Sequence, residues 1–218
     1  MDRLLFRKEG RARYISHLDL MRTFQRMFLR AGIAIKHTEG FNPHPYVAFA
    51  MPLPLGTESD CELMDFGLLG DTDRKDVPAL LNRAAPEGIT VLAVYEAERK
   101  LSAIAWLAAD CRLVYDHGVP PDAAARIREL FSRSSLTVRK KTKRGEAELD
   151  VIPLLKDFSL EQTGERELLL HVTLAAQAPT VAPAQIAEAV RLYEPALAPD
   201  FAAFRRREVY DQDGGVFR

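Results

Sequence analysis

The hydrophobic pattern of this chain switches between a strand period of two and a helix period near 3.6 in a fixed order, and that order admits few folds. Leu4 to Lys8 and Arg13 to Ile15 bracket the turn Glu9-Gly10-Arg11 and read as a strand, a turn and a strand end leading into a helix. Ser16 is a good N-cap, and Asp19 three residues later completes a Ser-x-x-acid start, so a helix is predicted from His17 to about Ala31. Leu20, Phe24, Met27, Phe28 and Ala31 form its apolar stripe, and Gly32 is placed to end it. Strands are expected at Ile33 to His37 and Tyr46 to Met51, separated by the extended loop Gly40-Phe41-Asn42-Pro43-His44-Pro45. The prolines of Pro52-Leu53-Pro54-Leu55-Gly56 exclude a helix there. A strand at Glu62 to Leu69, a helix at Asp76 to Ala85 and a strand at Ile89 to Tyr95 complete a β-α-β-β-α-β order. That order is the split βαβ of a ferredoxin-like domain, with two helices on one face of an antiparallel sheet and the other face free.

The second half repeats the order with little sequence self-similarity. A helix-like bridge at Leu101 to Ala108, holding Trp106, precedes a strand at Asp110 to Asp116 and a helix at Pro121 to Ser132. A long hairpin or strand pair at Leu136 to Leu155 follows, then a strand at Glu167 to Ala175, a helix at Pro183 to Tyr193 and a strand at Phe204 to Tyr210. The tail from Asp213 to Arg218 reads as loose. The expectation is an α+β protein of two tandem ferredoxin-like (βαββαβ) units, residues 1–98 and 99–218, and 218 residues accommodate two domains of about 100 each.

Whole-chain charge names no partner, because 30 basic and 31 acidic residues nearly cancel. Distribution is more telling: residues 1–50 carry Arg3, Arg7, Lys8, Arg11, Arg13, Arg22, Arg26, Arg30 and Lys36 against Asp2, Glu9, Asp19 and Glu39, while residues 58–76 are acidic. Cys61 and Cys111 are far apart and in no metal-ligand spacing, so no zinc site, iron–sulfur cluster or CxxxCxxC motif can be assembled from them. Neither a glycine-rich phosphate loop nor a Gly-x-Ser-x-Gly elbow is present, which argues against nucleotide hydrolysis and serine chemistry. No cofactor or metal is expected. The chain shows no leader and no apolar run long enough to span a bilayer, so the expected location is cytoplasmic, with no membrane partner.

Arg22, Arg26 and Arg30 recur about one helical turn apart, roughly 6 Å per step, which suits a ladder of phosphates and equally a solvated helix face. Phe41, Asn42 and His44 offer rings and an amide on rigid backbone, suited to stacking and edge hydrogen bonds with single-stranded RNA or to packing the loop on its own sheet. Arg13 and Lys36 extend the basic set, and the hairpin tip Arg139, Lys140, Lys141, Lys143 and Arg144 forms another phosphate-contact candidate. Arg205-Arg206-Arg207 is a third cluster. His17 and His44 form the best acid–base pair for metal-independent RNA cleavage, against a structural reading in which one helps cap the helix and the other fills a turn.

Phe6-x-Lys8-x-Gly10, Ser16-His17-Leu18-Asp19-x-x-Arg22, Gly40-Phe41-Asn42-Pro43-His44-Pro45 and Pro52-Leu53-Pro54-Leu55-Gly56 together resemble the DUF2344 family, the radical SAM-linked proteins. Lys140 through Asp150-Val151-Ile152 resembles a weaker motif of the same family. The resemblance implies a bacterial protein encoded beside, or fused to, a radical SAM protein with a cobalamin-type domain, often near ribonuclease G and ribosomal-protein genes. It thereby implies an accessory, RNA-binding role beside a radical SAM partner, with a protein-interaction subunit lacking RNA contact as the alternative. The doubled ferredoxin-like order also looks like the architecture of CRISPR RNA-processing endonucleases, without their glycine-rich loop.

Overall fold

Alternation along Asp2–Lys8 turns Leu4 and Phe6 inward and makes the first strand, β1, of the computed structural model, which describes residues 1–142, 145–177 and 179–218. Two compact units follow one another, Met1–Ala103 (with Arg218) and Ile104–Phe217.

In the first unit β1 is followed by α1 (His17–Arg30), β2 (Val47–Phe49), β3 (Glu58–Phe66), α2 (Val77–Ala84) and β4 (Ile89–Glu96). The strands lie in the order β4-β1-β3-β2, antiparallel throughout, with Leu4 opposite Met64 on one side and Val94 on the other. This is the ferredoxin-like arrangement. Leu4, Phe6, Met64 and Phe66 of the sheet pack against Phe24, Met27 and Phe28 of α1 and Leu81 of α2. Phe6 meets Phe24 edge-on at 4.7 Å between ring centroids, and Phe28 lies 5.0 Å from Phe66.

The strand expected at Ile33–His37 does not form. Ile35 and His37 make only isolated bridges, to Leu68 and Pro45, because the segment changes partner within two residues instead of running along one strand. Tyr46–Met51 shrinks to Val47–Phe49, since Pro52 and Pro54 follow at once. Helix α1 starts as its sequence predicts: the Ser16 side chain accepts the Asp19 amide at 3.2 Å and donates to its carboxylate at 2.7 Å. Ser16→Ala is expected to cost about 1 kcal/mol, read as a lower midpoint in urea unfolding with an unchanged slope.

The second unit runs β5 (Trp106–Val114), α3 (Ala123–Phe131), β6 (Thr137–Thr142), β7 (Gly145–Asp150), β8 (Leu155–Gly164), β9 (Glu167–Ala175), α4 (Pro183–Tyr193) and β10 (Phe201–Tyr210). Its four main strands are ordered β10-β5-β9-β8, a second ferredoxin-like sheet, and β6 and β7 form a separate hairpin inserted between α3 and β8. The hairpin at Leu136–Leu155 therefore does not supply the second strand of the unit, as its sequence suggests. Strand β8 does, and its polar string, in which only Phe158 and Leu160 face the helices as apolar residues, hides it. Trp106 opens β5 rather than sitting in a helix, because Leu107, Ala109, Cys111 and Leu113 bury alternately and the strand pairs with β10 back to Tyr210. Only Leu101–Ala103 turns helically. The expected loose tail is ordered too: Phe217 is buried and its amide donates to Val209 O at 2.9 Å. Among the described residues no helix is long and apolar enough to cross a membrane.

Candidate functional site

Helix α1 ends in a turn that creates the site. Gly32 adopts φ +68°, its amide donates to Leu29 O at 3.2 Å, and the Ile33 amide donates to Phe28 O at 3.0 Å. This reversal sends Ile33–Ile35 back beneath the helix, where Lys36 N donates to Gly67 O at 2.8 Å and Leu69 N to Ala34 O at 2.9 Å. Between helix and returning chain lies a groove of about 720 Å³, walled by Phe28, Leu29, Ile33, Ile35 and Leu69. Arg22, Gln25 and Arg26 line its helix side, and His37 and Pro45 close it.

The segment from Lys36 to Tyr46 doubles back on itself as an arm. Thr38 N donates to His44 O at 2.9 Å, Tyr46 N donates to Lys36 O at 2.8 Å, and Gln25 Nε2 fastens the arm to α1 by donating to Pro45 O at 3.0 Å. At the tip Phe41 is wholly exposed, an unusual position for a phenylalanine, and Asn42 is exposed beside it. His44 Nδ1 lies 3.1 Å from Thr38 Oγ1 and 3.2 Å from Asn42 O, and the Thr38 hydroxyl accepts the His44 amide at 3.2 Å. The arm is thus stiffened by its own polar groups, not packed on the sheet.

The arginine ladder resolves into a pair and a single residue. Four residues advance a helix by about 40° beyond a full turn, so the row drifts around the axis. Arg22 and Arg26 line the groove, whereas Arg30 borders a separate depression of about 430 Å³ with Arg83 and Leu80. Arg22 lies 3.3 Å from Asp19, whose carboxyl is held below the usual carboxylate range by the Ser16 hydroxyl and then by Arg22. Among the described residues Arg26 and Arg30 have no ion-pair partner, and both are exposed, as is Lys36.

Other expected site residues serve the fold around them. Arg13 lies 3.7 Å from Glu58, donates to the Tyr14 hydroxyl at 3.0 Å, and stacks over the Tyr14 ring. Its carbonyl receives Lys8 Nζ at 3.2 Å and the Gly56 amide at 2.9 Å, and Lys8 also donates to Ile15 O at 3.0 Å. Lys8 is buried, and burial lowers its pKa from the ordinary lysine value. Together Lys8, Gly10, Arg13 and Gly56 stitch the entrance to α1, with the Gly10 amide donating to Glu58 Oε1 at 2.9 Å. His17 is exposed and rests edge-on against Phe49 at 5.4 Å. Among the described residues His17 and His44 share no hydrogen bond or ring contact.

In the second unit Arg139 is exposed and lies 3.6 Å from Glu146, while Lys140 donates to Thr180 O at 2.6 Å. Lys141 is described by its backbone in β6 alone, and Lys143 and Arg144 lie outside the described residues. Asp150 closes the base of the hairpin by accepting the Leu136 and Ile152 amides at 2.9 and 3.1 Å. Of the Arg205–Arg207 cluster, Arg206 is buried and Arg207 donates to Asp110 at 2.8 Å. Among the described residues no group of three or more His, Cys, Asp or Glu side chains could hold a metal ion.

Sequence reading missed Gln25, Leu29, His37 and Leu69, which complete the groove. One signal was available: Leu29 falls outside the apolar stripe of α1 and is four-fifths exposed, at 80%. It also missed the cluster in which Asp110 accepts from His171 at 2.7 Å as well as from Arg207.

Among solved structures, a Cbf5-Nop10-Gar1 complex matches with a TM-score of 0.50 and 11% identity, over 95% of this chain and 48% of that one. An archaeal box H/ACA sRNP Nop10-Cbf5 complex matches with a TM-score of 0.46 and 12% identity, over 94% and 46%. The chain spans about half the length of each of these chains, and the likeness to the first is one of fold alone. No curated protein matches it in sequence. The pattern of a family described as an uncharacterized protein conserved in bacteria, DUF2344, matches residues 3–183. With residues 3–183 matched, most of its length, the chain belongs to the DUF2344 family.

Proposed function

We propose that this protein is an accessory RNA-binding module that presents RNA to a modifying enzyme, the partner implied by the family resemblance being a radical SAM protein. The observation that carries the reading is the arm: a rigid hairpin-like segment, pinned to α1 through Gln25, that holds the Phe41 ring clear of the protein. An exposed ring of this kind loses by standing in water and gains by stacking on an unpaired base. Asn42 and His44 beside it offer donors and acceptors to a base edge. Arg26, Arg30 and Lys36 are the exposed cations nearest in sequence, and they supply the phosphate contacts. Arg13 and Lys140 are occupied within the fold and do not belong to this set.

A ring read by stacking distinguishes single strands from duplexes, whose bases are already stacked. In a filter-binding assay the protein is expected to hold a mixed-sequence single-stranded RNA more tightly than a hairpin duplex of matched length. Equal affinity for both, or binding to neither at low salt, counts against the proposal.

A further inference from the structure

The groove beneath α1 is not explained by RNA binding. Its walls are mostly aliphatic: Phe28 is buried in the core and offers no open ring, and the one exposed ring, the His37 imidazole, stands at its end with Nδ1 3.2 Å from Ile35 O. Leu29 and Leu69 line it while remaining 80% and 43% exposed, so it is an open trough and not an enclosed ligand cavity. Along one side run Arg22 and Arg26, one helical turn apart. Apolar area left uncovered beside two cations is complementary to a surface that is itself apolar with acidic flanks.

The shape of that surface follows from hydrogen bonding. Ala34 O, Lys36 N and Lys36 O are already bonded to Leu69, Gly67 and Tyr46, so that edge of the wall cannot take an added strand. A helix brings its own backbone bonds satisfied and needs only side-chain complementarity. Acids at i and i+4 on such a helix match the Arg22–Arg26 spacing, and apolar residues at i+3 and i+7 reach Leu29, Ile33 and Leu69.

We infer that the α1 groove is the docking site for an acidic amphipathic helix of a partner protein. This assignment shares Arg26 with the RNA reading but rests on the groove walls and Arg22, which that reading does not use. Together the two surfaces make an adaptor, one holding RNA and the other a protein.

The test is selection from a displayed library of helical peptides of about 15 residues, with apolar and charged positions varied, against the full chain. Selected peptides are expected to carry acids three or four residues apart beside apolar anchors. Their affinity should fall about tenfold or more with Leu29→Glu and with Arg22→Glu. For Arg22→Glu, exchanging the facing acid for lysine should restore binding. Leu29→Gln, which adds no charge beside Arg26 and Arg30, should weaken peptide binding while leaving RNA affinity and melting temperature unchanged. No enrichment, or peptides indifferent to both substitutions, would overturn the inference while leaving the RNA reading intact. Loss of RNA binding in Leu29→Gln would overturn it in favour of a nucleotide in the groove.

Discussion

Phe24→Ala is expected to destabilise the first unit by about 3–5 kcal/mol, a large part of the roughly 5–15 kcal/mol that holds a typical domain folded. Phe24 is fully buried, and its ring meets two others edge-on, Phe6 at 4.7 Å and Phe49 at 5.8 Å. Phe49 in turn carries His17 on its edge, so the cavity would open at the point where α1, β1 and β2 share one core. The loss therefore reaches the site: α1 positions Gln25, Arg26 and the arm that Gln25 fastens. Chemical denaturation followed by near-ultraviolet circular dichroism reads the effect, and Phe24→Leu, which refills most of the space, should recover much of it. A midpoint unchanged in Phe24→Ala would mean that the helix is not held by this cluster.

Phe41→Ala is expected to do the opposite: to leave stability untouched and to remove about 1–3 kcal/mol of RNA affinity, roughly 5- to 150-fold. The side chain is wholly exposed, so nothing in the fold depends on it. The loss should be the same for different sequences, because every base has a face to stack. Phe41→Tyr should retain binding. A variant that unfolds, or one that binds as before, would remove the arm tip from the interface.

The local parts of this fold were legible in the sequence. Ser16 with Asp19 fixes the start of α1 and Gly32 fixes its stop, since each satisfies backbone groups within three or four residues of itself. The β-α-β-β-α-β order of the first unit emerges once Ile33–His37 is taken out of its strands. Strand β8 was hidden because one face of it is open to polar residues and the other supplies only two apolar ones. Ile33–His37 misled because its alternation serves a groove wall, bridged at two points, not a ladder.

Site residues divide in the same way. Arg26 and Arg30 are exposed, as a stripe opposite the apolar one suggested, whereas for Phe41 and Asn42, where the sequence left packing on the sheet open, the structure leaves both exposed. The occupation of Lys140 by Thr180 O, 40 residues away, could not be read from the basic run that contains it. Nor could the groove, because Leu29 and Leu69 meet only after the chain has turned twice. His17 and His44 stand in separate surroundings, one against Phe49 and the other against Thr38.

The salt dependence of RNA affinity tests the central claim most directly. Every phosphate that a variant no longer neutralises should lower the slope of log affinity against log salt by about 0.7 for a single strand. The variant Arg26→Ala, Arg30→Ala, Lys36→Ala should therefore bind more weakly than the wild type at low salt, with a slope shallower by about 2. Identical slopes in the two proteins, or an affinity in the wild type that does not change with salt, would contradict the assignment of this surface to RNA.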